Sequence, residues 1–480
     1  MQQQTLDNQS QSHFKAVKNI AAPSQDKWLV YLLIYSAIVL FQIFYADHES
    51  KFYFLGVSGT GWDLRACCAA IQSHADGLNP YYVQKFVPYY VKDLKDFPYP
   101  YLPVTLDIFR PICLDFITRH FKEIYFALAA ISAFLLSVFS FSGQTIRDAC
   151  LKTLYVFGGF VGFVWTFWSG NFAILSGLLT ALALYLFYRG FSLQEKNAQN
   201  QRSGLFYALG AIVFGLAMSI KIIFAPVLIS LYFFPLARTK KITLMIIAGA
   251  CFIIPVIVSY LFYYELFFSW LDVISGRIPG QISQATEQSA SLFDMGKALA
   301  GSLGFIHNKL LDGFLYAMAI GLILGPLAYS TIWFVKQECA DDGKSFLKKL
   351  DQFLIINSCF AMRIATLSML AIYLCAPRLK EYAFFELAIY AAMLVVDLPA
   401  KWLAITLAIT IAGPIVASGS QISQFIYQFN HTIAAVFCYG VLLMDLYPTF
   451  FDLRKRQSLS HVQLERHLAD LSKISMIGMR

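Results

Sequence analysis

Residues 61–103 read GWDLRACCAAIQSHADGLNPYYVQKFVPYYVKDLKDFPYPYLP. This stretch is too polar to lie in lipid, yet it separates two apolar segments that are long enough to span a bilayer. After Asp63, apolar side chains recur at helical spacing on one face, at Leu64, Cys67, Cys68 and Ile71. Gly77 is placed to end that helix, and Asn79-Pro80 forces a turn. The pattern predicts a helix on the membrane surface with a carboxylate at its start.

The composition of the whole chain indicates a membrane protein. Hydrophobic residues make up 58% of the 480 residues, charged residues 14%, and the mean hydropathy is +0.59. A soluble protein would have to bury far too much apolar surface, so we expect an all-α polytopic membrane protein. The first 27 residues are polar and no cleavage site follows the first apolar run, so no cleavable signal is predicted.

The apolar segments divide into twelve predicted spans, each close to the ~20 residues that cross the hydrocarbon core. They centre on 28–44, 124–141, 154–168, 173–188, 205–220, 222–236, 242–263, 313–335, 353–375, 382–396, 402–417 and 431–448. The domain organisation that follows has a cytoplasmic N-terminal segment (1–27), a transmembrane domain (28–448) and a basic cytoplasmic tail (449–480).

Lysine and arginine in the short connections indicate the orientation. With both termini cytoplasmic, more than half of the 37 basic residues lie inside, including the tail that starts at Arg454. The long loops 45–122 and 264–312 are then extracytoplasmic, and the expected location is a bacterial inner membrane with an extracytoplasmic active site. Membrane topology explains the net charge of +8, so no nucleic-acid partner is predicted.

The nine cysteines include no C-x-x-C pair, and no His, Cys, Asp and Glu cluster has metal-ligand spacing. No metal site and no cofactor is therefore predicted. Cys67, Cys68 and Cys113 fall in the first polar loop, where one disulfide is possible if the loop is extracytoplasmic. Small apolar packing residues are the favoured interpretation, and no disulfide is predicted.

Short motifs follow the first span in a fixed order: D-L-R-A from Asp63, G-L-N-P-Y from Gly77 to Tyr81, and F-P-Y-P-Y-L-P ending at Pro103. In this order they resemble glycosyltransferase family 87, the polyprenol-phosphate-mannose-dependent mannosyltransferases of the GT-C class. Further resemblances are Gly170-Asn171, the glycine-rich run that ends in Lys221, Glu287-Gln288-Ser289, and the segment from Ala376 to Tyr382.

The resemblance implies a GT-C-like bundle of about twelve transmembrane helices, in which an extracytoplasmic surface-helix loop follows the first span. It also implies a polyprenyl-phosphate sugar, with mannose as the expected sugar, as donor and a glycolipid or glycan hydroxyl as acceptor. The chain departs from the family pattern at Lys380, Glu381 and Tyr382, where the family carries histidines. The role of those histidines is therefore not transferred to this chain.

The chemistry of such a transfer needs a base at the acceptor and cations at the departing phosphate. Asp63 is the candidate catalytic base; its structural alternative is an N-cap. Lys221, Arg378 and Lys380 are the candidate phosphate-binding cations because they lie in short outer turns, where positive charge is disfavoured. Snorkelling to lipid headgroups is the alternative for each of them. Arg65 is a further candidate, with a solvated helix face as its alternative.

Other candidate substrate-binding residues are polar or aromatic side chains near the same predicted rim: Asn79, Tyr81, Tyr99, Tyr101, Asn171, Gln288, His307 and Glu381. Tyrosines at this depth commonly anchor a loop at the interface, and a lone histidine near a span is commonly structural. No D-x-D motif is present to hold a metal-bound nucleotide sugar, which favours a lipid-linked donor. Arg363, inside a predicted span, is expected to pair with a carboxylate or with carbonyls in the bundle.

Two further classes of function remain open for this pattern. Twelve spans with both termini inside is also a carrier topology, so a transporter or a flippase for a lipid-linked saccharide is the main alternative. The two halves show no sequence repeat, and the polar residues concentrate at the outer rim, which favours the enzyme. A noncatalytic subunit of a glycan-assembly system is the other alternative. Both alternatives predict that loss of Asp63 is tolerated.

Overall fold

The computed structural model describes most of the chain, with gaps between helices. The described residues are 26–47, 61–82, 99–140, 145–196, 201–278, 289–305, 309–339, 343, 345–419 and 424–477. In the first and last helices, side chains are described for residues 28–44 and 424–452.

The N-terminal half of the chain forms ten helices in the described ranges, numbered here in chain order. They are α1 (Asp26–Asp47), α2 (Trp62–Ala75), α3 (Thr105–Ile108), α4 (Asp115–Arg119), α5 (Phe121–Ser137), α6 (Thr145–Gly158), α7 (Gly162–Ser169), α8 (Ala173–Lys196), α9 (Gln201–Ile220) and α10 (Arg238–Phe262). Short 3₁₀ helices occupy Arg110–Cys113 and Gly159–Val161, and a longer one, with Pro226 inside it, occupies Ile222–Phe233.

The C-terminal half continues with further helices. They are α11 (Tyr264–Ile274), α12 (Leu292–Ser302), α13 (Lys309–Glu338), α14 (Phe346–Ile356), α15 (Ser358–Leu374), α16 (Phe384–Val395), α17 (Ala400–Leu407), α18 (Gly413–Gly419) and α19 (Gln424–Ile477). A 3₁₀ turn at Glu381–Ala383 precedes α16, and a π-helical turn at Ala408–Ala412 joins α17 to α18. The described ranges contain no strand, which confirms the all-α prediction.

The predicted spans coincide with helices throughout the described chain. Seven helical stretches are long and apolar enough to cross a membrane, and α14 with α15 adds an eighth if the pair, bent by 112°, counts as one span. Residues 28–44 and 222–233 form shorter apolar helices. The chain is therefore a polytopic membrane protein, and the number twelve stays a prediction.

Helix α2 follows the pattern that its sequence predicts. Its apolar face is buried, including Leu64, Cys67 and Ile71. Gly61 is the N-cap residue, with φ +72°, and Gly77 follows the C-cap with φ +79°. Asp63 is thus the second helical residue and does not cap the helix. The N-cap interpretation of Asp63 is wrong because the left-handed backbone at Gly61 starts the helix two residues earlier.

A disulfide joins α2 to the 3₁₀ helix that follows α3. Cys68 bonds to Cys113, with a Cα–Cα distance of 5.3 Å, so the prediction of no disulfide is wrong. Helical spacing places Cys67 and Cys68 on adjacent parts of one face, but only the fold of 99–113 shows that Cys68 meets a partner. Cys67 is buried as a free thiol, in agreement with the packing interpretation.

The core of the bundle lies around α16, all of whose residues are buried. Helix α16 packs against α6, α7, α8, α15 and α19. The crossing with α7 is close: a Cβ on Gly162 would lie 2.2 Å from the backbone nitrogen of Phe385. A glycine is therefore required where these two helices touch.

Arg363 on α15 pairs inside the bundle, which confirms the prediction. Its guanidinium lies 2.9 Å from the carboxylate of Asp397 and 3.9 Å from that of Asp445 on α19. Asp397 is 4% exposed in this pair, so removal of one partner alone would leave a buried unpaired charge.

The disulfide and the distribution of basic residues together predict that α2 faces the extracytoplasmic side. Ala75→Cys, at an exposed position of α2, should react with a membrane-impermeant maleimide in spheroplasts. Gln201→Cys, exposed at the predicted cytoplasmic start of α9, is the matched control and should react only after permeabilisation. The reverse pattern of labelling, scored against the parent protein, would contradict the predicted orientation.

Candidate functional site

A cavity of about 480 Å³ lies between the loop after α2, the break that follows α9, and the segment between α15 and α16. Three of its lining residues are the predicted cations Lys221, Arg378 and Lys380. The structure thus brings together positive side chains that lie far apart in sequence. The rest of the lining is mainly apolar and aromatic, and it includes Tyr101, Trp270 and Tyr382.

Lys221 lies at the break between α9 and the 3₁₀ helix, where the chain leaves helical geometry with φ −133° and ψ 94°. Its ammonium nitrogen is buried, has no hydrogen-bond partner, and lies 4.2 Å from the ring centroid of Tyr382. Burial lowers the pKa of Lys221 to about 8, although Glu386 and then Asp63 oppose this shift. The lysine therefore presents a weakly compensated positive charge to the cavity.

Arg378 and Lys380 are held by the residue between them. Leu379 is fully buried, and its carbonyl oxygen accepts a hydrogen bond of 2.8 Å from the backbone nitrogen of Ala290. Arg378 and Lys380 are each half-buried and line the cavity. The backbone at Lys380 is extended, with φ −88° and ψ 160°, up to the start of the 3₁₀ turn. In extended backbone, successive side chains point to opposite sides, so Arg378 and Lys380 share one side and Leu379 points to the other.

Asp63 is fixed by a side chain from the turn between α7 and α8. The Nδ2 atom of Asn171 donates to Oδ2 of Asp63 at 2.9 Å. The Oδ1 atom of Asn171 accepts from the backbone nitrogen of Ala173 at 2.9 Å, so the amide is oriented with its NH₂ group toward the carboxylate. Because Asn171 is a neutral donor, this hydrogen bond orients the Asp63 carboxylate without itself adding a positive charge.

The turn that carries Asn171 is packed directly against α2. Gly170 has φ +70°, and a Cβ there would lie 2.8 Å from Cβ of Leu64 and 3.2 Å from Cα of Gly61. Tyr125 on α5 donates to the carbonyl oxygen of Gly170 at 2.9 Å. The position of Asp63 therefore depends on a close contact that admits only glycine.

Two of the three candidate loop tyrosines make hydrogen bonds within the protein, and their substrate-binding role stays a prediction. Tyr81 is fully buried and donates to the carbonyl oxygen of Tyr101 at 2.8 Å, and Tyr99 bonds to the hydroxyl of Thr105 at 2.7 Å. Burial raises the pKa of Tyr81, Tyr99 and Tyr101 well above the usual tyrosine value, so these phenols stay protonated. Of the three, Tyr101 lines the cavity.

Asn79 also shapes the loop. Its side-chain oxygen accepts from the backbone nitrogen of Tyr81 at 3.0 Å, and its amide donates to the hydroxyl of Ser269 at 2.9 Å. The first of these hydrogen bonds forms an Asx turn, and the second connects the loop to α11. The contacts of Asn79 are thus with the protein, and its substrate-binding role stays a prediction.

Asp63 lies close to the cavity but outside its lining. The ring of Tyr101, on the lining, is 5.7 Å from that of Phe172, the residue after Asn171. Tyr101 and Lys221 both experience the charge of Asp63. Asp63, Tyr101 and Lys221 therefore lie close enough for their charges to interact.

The remaining predicted residues lie elsewhere. Arg65 is exposed on α2, in agreement with a solvated helix face. Glu381 is half-buried in the 3₁₀ turn and outside the cavity lining. Gln288 and His307 lie outside the described residues. Their predicted roles stay predictions.

Sequence reasoning missed two residues that line the cavity, Tyr382 and Trp270, and one buried acidic residue, Glu386. Tyr382 stacks under Lys221, and Trp270 donates from its indole nitrogen to the carbonyl oxygen of Pro100 at 3.2 Å. Glu386, on α16, is 1% exposed and is the largest opposing charge on Lys221. An ionisable residue within a predicted span is a functional candidate by default, and that signal was present in the sequence for Glu386.

Comparison with known proteins gives one family. The family model described as glycosyltransferase family 87 matches residues 99–347. No curated protein sequence matches the chain. Among solved structures, the crystal structure of the Archaeoglobus fulgidus oligosaccharyltransferase in the apo form is similar, with 12% sequence identity and a TM-score of 0.37. The match covers 88% of this chain, which spans 56% of the length of that one.

The contact between Gly170 and α2 generates a prediction about stability. Gly170→Ala should lower the thermal unfolding midpoint in detergent, because the left-handed backbone and the contact with the Gly61 backbone together cost about 1–3 kcal/mol. The matched control is Gly204→Ala on α9, where a Cβ meets nothing within 4 Å and the helix gains propensity. Equal midpoints for the two variants would show that the turn does not need glycine.

Proposed function

The chain belongs to glycosyltransferase family 87, and on this premise we propose that it transfers mannose from a polyprenyl-phosphate donor to a hydroxyl of a glycolipid or glycan. The family and the apolar helices make it a membrane glycosyltransferase. The proposal adds the donor, the sugar, the extracytoplasmic side of the membrane and the roles of individual residues.

The observation that carries the proposal is the convergence of Lys221, Arg378 and Lys380 on one cavity beside Asp63. Three positive charges suit a phosphate better than a neutral sugar. The apolar part of the lining, with Ile222, Ile223 and Phe224 next to Lys221, suits the first units of a polyprenyl chain. A phosphate attached to a lipid matches both halves of this lining.

The proposed reaction is a single inverting displacement. The acceptor oxygen attacks the anomeric carbon and forms the new glycosidic bond, while the bond from that carbon to the phosphate oxygen breaks. The electron pair of the broken bond goes to the phosphate, where the three cations stabilise the charge. The acceptor proton goes to Asp63, which Asn171 holds in position. No second carboxylate is required.

The Cys68–Cys113 disulfide supports an extracytoplasmic active site. Disulfides persist in oxidising compartments and are rare in the cytosol. This bond lies five residues from Asp63 along α2, so the base and the disulfide share one side of the membrane. On that side of the membrane, a polyprenyl-phosphate sugar is the proposed donor, and no nucleotide sugar is required.

Asp63→Asn tests the base and separates the enzyme from a carrier or an assembly subunit. The change preserves shape and removes basicity, so we expect the protein to fold and the transfer rate to fall about 10²- to 10⁴-fold. Asp76→Asn, at the exposed C-cap of the same helix, should transfer at the wild-type rate. Radiolabelled sugar transfer in proteoliposomes measures both. A well-folded Asp63→Asn protein with near wild-type activity would rule out Asp63 as the base.

The cations should act on donor binding. We expect Arg378→Ala and Lys380→Ala each to raise the donor KM by about 10- to 150-fold, since a charge-assisted bond contributes roughly 1.5–3 kcal/mol. The control is Arg119→Ala, which removes an exposed charge that pairs with Asp115 within α4. This variant should leave the donor KM unchanged. Initial rates at varied polyprenyl-phosphate mannose give the values. An unchanged KM in both cavity variants would refute a phosphate site here.

A further inference from the structure

The cavity is lined by a negative side chain to which the proposed reaction gives no role. Among the described residues of the lining, Asp294, in the first turn of α12, carries the one carboxylate. The other charged residues of this lining are the three cations Lys221, Arg378 and Lys380. A carboxylate repels a phosphate, so Asp294 does not suit the anionic part of a donor. It suits a hydroxyl group, because the oxygens of an ionised carboxylate are acceptors only.

Neighbouring residues hold the Asp294 carboxylate in place, and its side chain is 13% exposed. The Oδ2 atom accepts from the backbone nitrogen of Ser289 at 3.0 Å and from the hydroxyl of Ser289 at 2.7 Å. The Oδ1 atom lies 2.8 Å from the ammonium nitrogen of Lys297, about one turn further along α12. An ionised carboxylate has about four acceptor sites. The described contacts use both sites of Oδ2 and one site of Oδ1, so Oδ1 can accept one more hydrogen bond.

Two contacts connect the start of α12 to the segment between α15 and α16, which carries two of the cations. The backbone nitrogen of Ala290 donates to the carbonyl oxygen of Leu379 at 2.8 Å. The ring of Phe293 lies 5.3 Å from that of Tyr316, whose hydroxyl donates to the carbonyl oxygen of Cys375. The carboxylate on α12 and the cations of this segment therefore belong to one connected part of the cavity wall.

The donor has a neutral part that this carboxylate can meet. Its sugar is bonded directly to the phosphate, so cations that bind the phosphate also place the sugar hydroxyls in the same cavity. In an inverting displacement, the acceptor approaches the anomeric carbon from the side away from the phosphate, where Asp63 is the proposed base. Asp294 is connected to the phosphate-binding segment, and Asp63 lies outside the cavity lining. The sugar of the donor is therefore the group that Asp294 meets.

We propose that Asp294 accepts a hydrogen bond from one hydroxyl of the transferred sugar and thereby determines which sugar the enzyme takes. The inference rests on the proposed function, in which the cations bind the donor phosphate. A site that bonds a substrate hydroxyl rejects a sugar without it, because the protein group is then left unpaired. The cations bind a phosphate that every such donor shares, so they do not distinguish one sugar from another.

The test measures the Kd of two ligands for the full-length protein in detergent: farnesyl phosphate and mannosyl farnesyl phosphate. Asp294→Asn replaces a charged acceptor with a neutral one of the same shape. The Kd of mannosyl farnesyl phosphate should rise about tenfold, since a charge-assisted hydrogen bond is about twice as strong as a neutral one. The Kd of farnesyl phosphate should stay the same or fall, because removal of a negative charge does not weaken phosphate binding. Equal weakening of both ligands would indicate a structural role and overturn the proposal.

Deoxy sugars identify the hydroxyl. Four analogues of mannosyl farnesyl phosphate, each without the hydroxyl at C2, C3, C4 or C6, are compared in the wild type and in Asp294→Asn. One of them should bind the wild type about tenfold more weakly than the parent ligand and show no further loss in the variant. Additive losses at all four positions would contradict a hydrogen bond from Asp294 to the sugar.

Lys297→Met is the matched control for the ion pair. It keeps the length of the side chain and leaves the Asp294 carboxylate bonded to Ser289, so the Kd of neither ligand should change. A loss as large as that of Asp294→Asn would mean that the ion pair matters and the carboxylate does not, which overturns the proposal. Asp294→Glu moves the charge by one methylene and tests the inference if Asp294→Asn does not fold. It should weaken the mannosylated ligand alone.

Farnesyl phosphate distinguishes failure of this inference from failure of the proposed function. If it does not bind the wild type, or binds Arg378→Ala and Lys380→Ala as tightly as the wild type, the cavity is not a phosphate site and the proposed function fails. If those two variants weaken its binding but Asp294→Asn leaves the Kd of mannosyl farnesyl phosphate unchanged, the phosphate site stands and only the role of Asp294 is wrong.

Discussion

The hydrogen bond from Asn171 to Asp63 joins the polar loop to the transmembrane bundle, and the geometry of the site depends on it. The two residues are 108 positions apart in sequence. The backbone supports the same junction, since the nitrogen of Gly61 donates to the carbonyl oxygen of Trp168 at 2.7 Å. With Gly170 packed against Leu64, α2 has little freedom to shift. The proposed role of Asp63 as a base requires it to keep its position closely, and these contacts supply that constraint.

The second constraint is the placement of charge in a low-dielectric interior. The positive charge of Arg363 is compensated by a direct ion pair with Asp397, at 2.9 Å. Lys221 has no hydrogen-bond partner for its buried ammonium, which lies 4.2 Å from the ring centroid of Tyr382. A buried ion without a full set of partners gains free energy when a ligand supplies them, whereas a fully paired ion does not. This contrast is the reason for proposing a ligand-binding role for Lys221 and a structural one for Arg363.

The disulfide and the aromatic packing connect residues 61–82 with residues 99–113. Cys68–Cys113 closes a loop of 45 residues, which restricts the unfolded chain and stabilises the folded one by about 2–4 kcal/mol. Buried Tyr81 and Tyr99 add hydrogen bonds within the loop. The loop therefore presents Tyr101 to the cavity at little ordering cost.

Local pattern determined which parts of this chain are helical and where α2 runs, because hydrophobic periodicity acts over short ranges. It also singled out Lys221, Arg378 and Lys380, which the structure places on one cavity. It also indicated the family through the order of short motifs. The tertiary structure alone decided the partners: Cys68 with Cys113, Asp63 with Asn171, and Lys221 with the ring of Tyr382. Each of these pairs joins residues that only helix packing brings together, and packing depends on the shapes of all the side chains at once.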